Sequence, residues 1–349
     1  MIPHSKPTIT QDDVEAVTEV LQSGMIAQGE KVAQFEKRFA HFIGKKYAIA
    51  CSSGTSAIHL ALLGLDIGTN DEVILPSYVC SSPYLACVYA GAIPRIADID
   101  LLDFNISAES VEKLKNSSSK AVIVPHMFGT PSEIEEIAEK GIPIVEDCAQ
   151  SIGAEYRGKR VGGFGDVSVF SFYATKMITT GEGGMLLTDD VDLHERVREL
   201  RDYNKKPLTP PKYNYKMTDL QATLGISQLS KLESFIDRRR ELAAIYTEEL
   251  SMCEVELPRI STHKKSVFYR YVIMVSELEK YRDAVMKRGI ICEKPVFLPL
   301  HRSIPDCQCP QSDEVFTRAL SIPIYPSLST EDAKYVAHSL CEVLTSAGA

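Results

Sequence analysis

The fold class predicted by this sequence is α/β: a large domain with a mainly parallel sheet covered by helices on both faces, followed by a smaller α+β domain at the C-terminus. Three observations predict it. From residue 12 to residue 148, short apolar runs alternate with segments of helical periodicity, and parallel strands require such crossovers. The chain has 349 residues, whereas single cores stop growing at roughly 250–300 residues. After Thr188 the pattern changes to long helical stretches, and a fresh strand-then-helix pattern begins near Val255. The expected division is a large domain over 1–250 and a small one over 251–349.

Residues 12–22 and 31–42 carry apolar side chains at helical spacing, and 47–50 form a short apolar strand that runs into Ser52-Ser53-Gly54-Thr55. A helix is expected over 56–63, a buried strand over 72–76 and a helix over 84–89. Further strands are expected at 92–96, 121–125 and 142–146, with helices at 109–114 and 133–140 between them. Residues 218–237 and 238–250 read as one or two long helices, with Leu220, Leu224, Leu229 and Leu232 on one side. Thr218 followed three residues later by Gln221 is a capping box for the first of them. In the smaller domain a strand over 268–275 precedes a helix over 278–288. A terminal helix over 330–344 starts at Ser329 or Thr330, with Glu331 and Asp332 in its first turn.

Composition removes several function classes. The net charge is −9 with both signs mixed along the chain, and no basic stripe suggests a nucleic-acid partner. No apolar run approaches the ~20 residues needed to span a membrane. Nine cysteines, an odd number, follow an N-terminus without an apolar leader segment. That pattern reads as free thiols in the cytoplasm. Cys307 and Cys309 lack a second pair at zinc spacing and read as a solvent-side loop pair.

In open α/β sheets, ligands bind beyond the carboxyl ends of the strands, so the residues following each strand deserve scrutiny. Ser52 to Ser56 lie between a strand and a helix. Small hydroxyl residues and a glycine there form either a phosphate cradle of free N–H groups or an ordinary helix cap. In Ile144 to Gln150 an apolar strand runs into Asp147, with Gln150 three residues on. The carboxylate either pairs with a protonated ring nitrogen or caps the next helix. Residues 169–176 form an apolar run ending in Lys176, followed by the Gly-rich stretch Gly181-Glu182-Gly183-Gly184. Desolvation makes a lysine amine nucleophilic, and a surface-loop lysine is the alternative. His59 and His126 read as packing residues, and Glu182 as an orienting residue behind Lys176 without chemistry of its own.

Taken in order, Ser53-Gly54-Thr55-Ser56-Ala57, Glu146-Asp147-Cys148-Ala149-Gln150, Ser171-Phe172 with Lys176 five residues after the serine, Gly181 to Gly184, and Asn214 to Ala222 resemble the DegT-type (DegT/DnrJ/StrS) sugar aminotransferases. That family is a branch of the aspartate aminotransferase superfamily with the fold type I architecture. The resemblance runs from Lys6-Pro7 to Ile322-Pro323-Ile324-Tyr325-Pro326. It implies a pyridoxal 5'-phosphate (PLP) enzyme that moves an amino group from glutamate to a nucleotide-linked keto-sugar. It further implies that Lys176 bonds the cofactor and then shuttles a proton, that Asp147 pairs with the pyridine nitrogen, and that Gln150 hydrogen-bonds the phenolic oxygen. Gly54, Thr55 and Ser171 would hold the phosphate. Asn214 would reach the phosphate in the neighbouring subunit, making a homodimer part of the active site.

Two departures stand out. Members of the family usually carry a ring-stacking aromatic where this chain has Cys80, so either Cys80 contacts the ring or Tyr78 swings in, with Cys80 favoured. The connection between Arg201-Asp202-Tyr203-Asn204 and Tyr213 is short, so sugar preference does not transfer. His301, in Pro299-Leu300-His301, matches a histidine that faces substrate in relatives; a structural role is the alternative. Three other functions compete: a transaminase acting on a carbocyclic ketone, a sugar dehydratase, and a non-catalytic PLP-binding regulator. Dehydratases of this fold replace the lysine by histidine, which Lys176 opposes. Retention of Lys176, Asp147 and Gln150 together opposes a non-catalytic role.

Overall fold

A computed structural model describes residues 1–347, and the elements follow from the patterns above. Helices α1 (Gln11–Ser23) and α2 (Glu30–Ile43) lead into β1 (Tyr47–Cys51) and α3 (Gly54–Gly64). Then come β2 (Glu72–Pro76), α4 (Ser82–Ala90), β3 (Ile93–Ala97), α5 (Ala108–Leu114), β4 (Ser119–Pro125), α6 (Ile134–Ala138) and β5 (Ile144–Asp147). A small hairpin, β6 (Glu155–Tyr156) and β7 (Lys159–Arg160), precedes β8 (Val167–Ser171), β9 (Gly184–Thr188) and α7 (Val191–Arg201). Helix α8 (Asp219–Leu250) is a single helix of 32 residues. The remainder comprises β10 (Lys264–Lys265), β11 (Tyr271–Met274), α9 (Leu278–Met286), α10 (Pro310–Arg318), β12 (Ala319–Ile322) and α11 (Thr330–Ala347).

The main sheet has seven strands in the order β1-β9-β8-β5-β4-β2-β3. Strands β8, β5, β4, β2 and β3 are parallel to one another. Strand β9 runs antiparallel to both β1 and β8, a strand the sequence reading passed over because Gly183-Gly184 masks its start. Alternation along the strands supplies both faces. Ile49, Cys51, Val73, Leu75, Val167 and Val169 join one core with Leu60 of α3 and Val197 of α7. Ala48, Ala50, Phe170, Met185 and Leu187 pack on the opposite face against α2 and α8. Ile74, Val122 and Val124 are covered by residues of α5 and α6.

Helix α8 joins the two halves. Its capping box, Thr218 with Gln221, forms as read from the sequence. The buried stripe differs from the expected one: Leu232 is buried, while Leu220, Leu224 and Leu229 are half-buried. The reason is close approach of helix α2, where a Cβ on Gly225 would stand 2.6 Å from the Phe35 ring. Small residues therefore form the contact and the leucines flank it. Further along, Leu242, Ala243, Tyr246 and Leu250 enter the core of the smaller domain with β11, β12 and α11, so the packing boundary falls inside α8. Ser329 caps α11, accepting from Asp332 N at 3.0 Å.

Two cysteine expectations are corrected. Cys253 and Cys341 are joined by a disulfide, because α11 lies along α8 and brings residues remote in sequence together. Cys309 is buried rather than solvent-side, and only Cys307 keeps partial exposure. No helix among the described residues is long and apolar enough to cross a membrane.

Candidate active site

The ends of β1, β5 and β8 converge on one cavity of about 270 Å³, whose wall includes Gly54, Thr55, Cys80, Asp147, Ser171 and Lys176. Residues separated by more than a hundred positions meet there because their strands lie side by side in the sheet. Each arrives at a carboxyl end or in the loop that follows.

The floor is the N-terminus of α3. Ser53 caps it by accepting from Ser56 N at 3.1 Å, and the N–H groups of Gly54 and Thr55, in the first turn, have no intrahelical acceptor. Thr55 Oγ1 hydrogen-bonds Ser82 Oγ, and both residues line the cavity. A Cβ on Gly54 would stand 2.9 Å from the Ser171 Cβ, so glycine is needed for the loop to approach β8. Free N–H groups, the positive end of a helix and three hydroxyls make a site for a phosphate.

Asp147 ends β5 at 6% exposure. One carboxylate oxygen accepts from Ala149 N at 2.9 Å, and no cation lies within ion-pair distance among the described residues. Burial raises its pKa, although Ala149 N–H, Lys176 and His126 pull the other way. A buried carboxylate facing a cavity without a cationic partner is complementary to a protonated ring nitrogen. Its neighbour Glu146 points the other way. Its carboxylate accepts from the backbone N–H groups of Gly162, Phe164 and Gly165 and meets His126 Nε2 at 3.0 Å. Burial would raise the Glu146 pKa, but these partners hold it below the usual range. His126 is thereby a packing residue, as the sequence suggested, with Nδ1 taking Ser132 N–H at 3.0 Å.

Lys176 is half-buried, with its backbone N–H on Tyr173 O at 2.9 Å. Its Nζ lies 5.1 Å from the centroid of the Tyr269 ring, a neighbour the sequence reading missed because Tyr269 belongs to the other end of the chain. Cys80 opens onto the cavity, whereas Tyr78 is fully buried in the core with its ring against Phe128. Of the two residues weighed for covering a ring, Cys80 is the one on the wall. Gln150 accepts from Phe128 N at 2.9 Å through its carbonyl oxygen. Its amide nitrogen has no partner among the described residues.

Three expected site residues lie off this wall: Gln150, Asn214 and His301. Asn214 is exposed, on an extended segment bridged to Asp202 and stitched beside β1 by Ser52 N donating to Tyr215 O at 2.8 Å. His301 is 5% exposed. Its Nδ1 sits 2.6 Å from Ser77 Oγ and its Nε2 3.3 Å from Asp313. With both nitrogens engaged, His301 has the geometry of its structural alternative, tying the loop before α10 to the end of β2. His59 packs among Tyr89, Tyr213 and Tyr215. Glu182 and Ser82 also line the wall; nothing in the sequence around Ser82 marked it, since its place there arises from contact with Thr55.

The model of the DegT/DnrJ/EryC1/StrS aminotransferase family matches residues 7–341. GDP-perosamine synthase of Escherichia coli O157:H7 is 34% identical, covering 98% of each chain. Among solved structures, the aminotransferase TlmJ from Streptoalloteichus hindustanus superposes with a TM-score of 0.95 at 29% identity, covering 100% of both chains. Helicobacter pylori PseC, an aminotransferase involved in the biosynthesis of pseudoaminic acid, gives 0.92 at 27% identity over 99% of each chain.

Proposed function

The chain belongs to the DegT/DnrJ/EryC1/StrS aminotransferase family, and from that premise we propose that it transfers an amino group from glutamate to a nucleotide-linked keto-sugar with PLP as cofactor. One observation carries the reading: a single cavity joins an amine, Lys176, a buried carboxylate without a cationic partner, Asp147, and the open N-terminus of α3. These are the three contacts that an aldehyde-bearing pyridinium phosphate requires. The resemblance of the full chain to GDP-perosamine synthase supports the acceptor class.

PLP, when bound, supplies an electron sink for the carbon that loses its proton. The protein's residues do the rest. Gly54 and Thr55 offer N–H groups and Ser171 a hydroxyl to the phosphate, which fixes the ring's position. Asp147 keeps the ring nitrogen protonated: burial makes an isolated carboxylate costly there, and a shared proton offsets that cost. The Gln150 amide nitrogen would be the donor to the phenolic oxygen, and Cys80 would contact the ring from the cavity wall. With the cofactor held there, Lys176 Nζ would be the base that takes the proton from the donor carbon and the acid that gives it back. The second half-reaction runs the same moves in reverse on the keto-sugar. Asn214 completes the phosphate site of a partner subunit, a reading supported by its exposure and its anchorage beside the phosphate loop.

The test is direct. Purified protein incubated with PLP should be yellow, and borohydride followed by peptide mass spectrometry should place the adduct on Lys176. Glutamate should bleach the colour, and a panel of nucleotide keto-sugars should contain one that restores it. An adduct on a different lysine, or no bleaching by glutamate, would overturn the reading.

A further inference from the structure

Behind Lys176 lies a cluster of charge that the site described so far does not use. Tyr269, just before β11, is 7% exposed and packs in the core between the sheet and α8. Its ring faces Lys176 Nζ, and its hydroxyl sits 3.4 Å from Thr175 Oγ1. The guanidinium of the next residue, Arg270, also lies over the ring, 5.4 Å from the centroid. From α8 comes Arg239, fully buried, donating to the carbonyls of Phe268, Tyr269 and Ile324. From the N-terminal segment His4 meets Arg270 Nη1 at 3.0 Å. Burial, and then Arg270, bring the His4 pKa down to about 3, so it adds no charge at neutral pH. Across the cavity Lys176 faces Cys80 and Asp147.

Neither Arg239 nor Arg270 pairs with a carboxylate among the described residues. A buried cation without a counter-anion, such as Arg239, is costly, and Tyr269 is the acid beside Arg239, Arg270 and Lys176. Burial alone would push this phenol up. Lys176 first, then Arg270, with Thr175 and Arg239 adding to them, bring it down to about 8.

We propose that Tyr269 is a positioning residue for the transamination: its ring is the rest on which the Lys176 amine lies whenever that amine is free. The proposal rests on Lys176 being the amine that bonds the cofactor. It gives Tyr269 a role at the moment Lys176 is released, when a flexible four-carbon side chain must keep its nitrogen within reach of the reacting carbon. A ring-face contact supplies that restraint without a competing bond, by packing against the neutral amine and by cation–π attraction once it is protonated.

Cofactor-free protein permits a test independent of turnover. The difference in tyrosinate absorbance between wild type and Tyr269→Phe isolates the titration of Tyr269, expected near 8. The same difference measured in a Lys176→Ala background should move up toward about 10, the ordinary tyrosine value. Separately, Tyr269→Leu, which removes the ring, should slow capture of PLP by cofactor-free protein about tenfold, the loss expected when a reacting amine is no longer held in place. Tyr269→Phe should keep the wild-type plateau rate with an altered pH profile. If circular dichroism shows that Tyr269→Leu does not fold, the titration decides alone. A Tyr269 midpoint that Lys176→Ala leaves unmoved, or capture by folded Tyr269→Leu at the wild-type rate, overturns the proposal. A borohydride adduct on another lysine would instead overturn the reading of the whole site, so the two failures are separable.

Discussion

Glu146 and Asp147 are neighbours in sequence and both are buried, yet their protons behave oppositely. Three backbone N–H groups and His126 surround Glu146 and hold its pKa down, whereas Asp147 has one N–H and an open cavity, so burial raises its pKa. The difference is one of partners, which strand alternation assigns to opposite faces. A carboxylate whose folded pKa is raised binds more protons folded than unfolded between the two values, so stability falls as pH rises through that window. Asp147→Asn removes this cost. Cofactor-free Asp147→Asn should therefore melt at a higher temperature than wild type at neutral pH. The advantage should vanish below about 3.9, the unfolded value. The PLP-loaded variant should lose activity by about a hundredfold or more, the usual loss when a preorganised charge is removed. Scanning calorimetry and steady-state rates on one preparation would check both halves, and near-normal turnover would reduce Asp147 to a structural cap.

At the scale of elements, β9 matters most to the site although it contributes no reactive group. It is hydrogen-bonded between β1 and β8, with Gly184 opposite both Cys51 and Ser171. A Cβ on Gly184 would stand 2.2 Å from Ser53 O and 2.7 Å from Gly54 N, inside the turn that feeds α3. Gly184→Ala should fold, because the strand's own backbone tolerates alanine. It should also displace the N-terminus of α3 and weaken PLP binding by at least about tenfold, the loss of one or two charge-assisted hydrogen bonds. Fluorescence titration of PLP into cofactor-free protein would measure this; unchanged affinity would mean that the phosphate loop has slack.

For the whole molecule, the position of Asn214 outside its own cavity makes assembly testable. If Asn214 serves a partner's phosphate, the interface is isologous and each site draws on two chains. PLP should then stabilise the dimer by mass action. Lys176→Ala and Asn214→Ala proteins, each impaired alone, should regain part of the activity after subunit exchange. A mixed dimer has one site with both lesions and one with neither. Exchange would be verified by differential tagging, and verified mixed dimers that stay inactive, or an active monomer, would exclude a shared site.

The order of the motifs determined where most of the candidate site residues fall in the fold. The alternation of apolar runs with helical segments set the large parallel sheet. The strand-end positions of Ser53 to Thr55, Asp147 and Ser171 followed from it, since the carboxyl ends of parallel strands share one edge. Lys176 was legible because a lysine closing an apolar run is costly to place without a purpose. Capping of α8 was legible because it is local. What required the tertiary structure were relations between distant segments: β9 wedged between β1 and β8, Tyr269 beneath Lys176, His301 engaged by Ser77 and Asp313, and Cys253 joined to Cys341. Each depends on which helices and strands become neighbours. Sequence periodicity reports which face of an element is buried, and packing alone decides what lies against it.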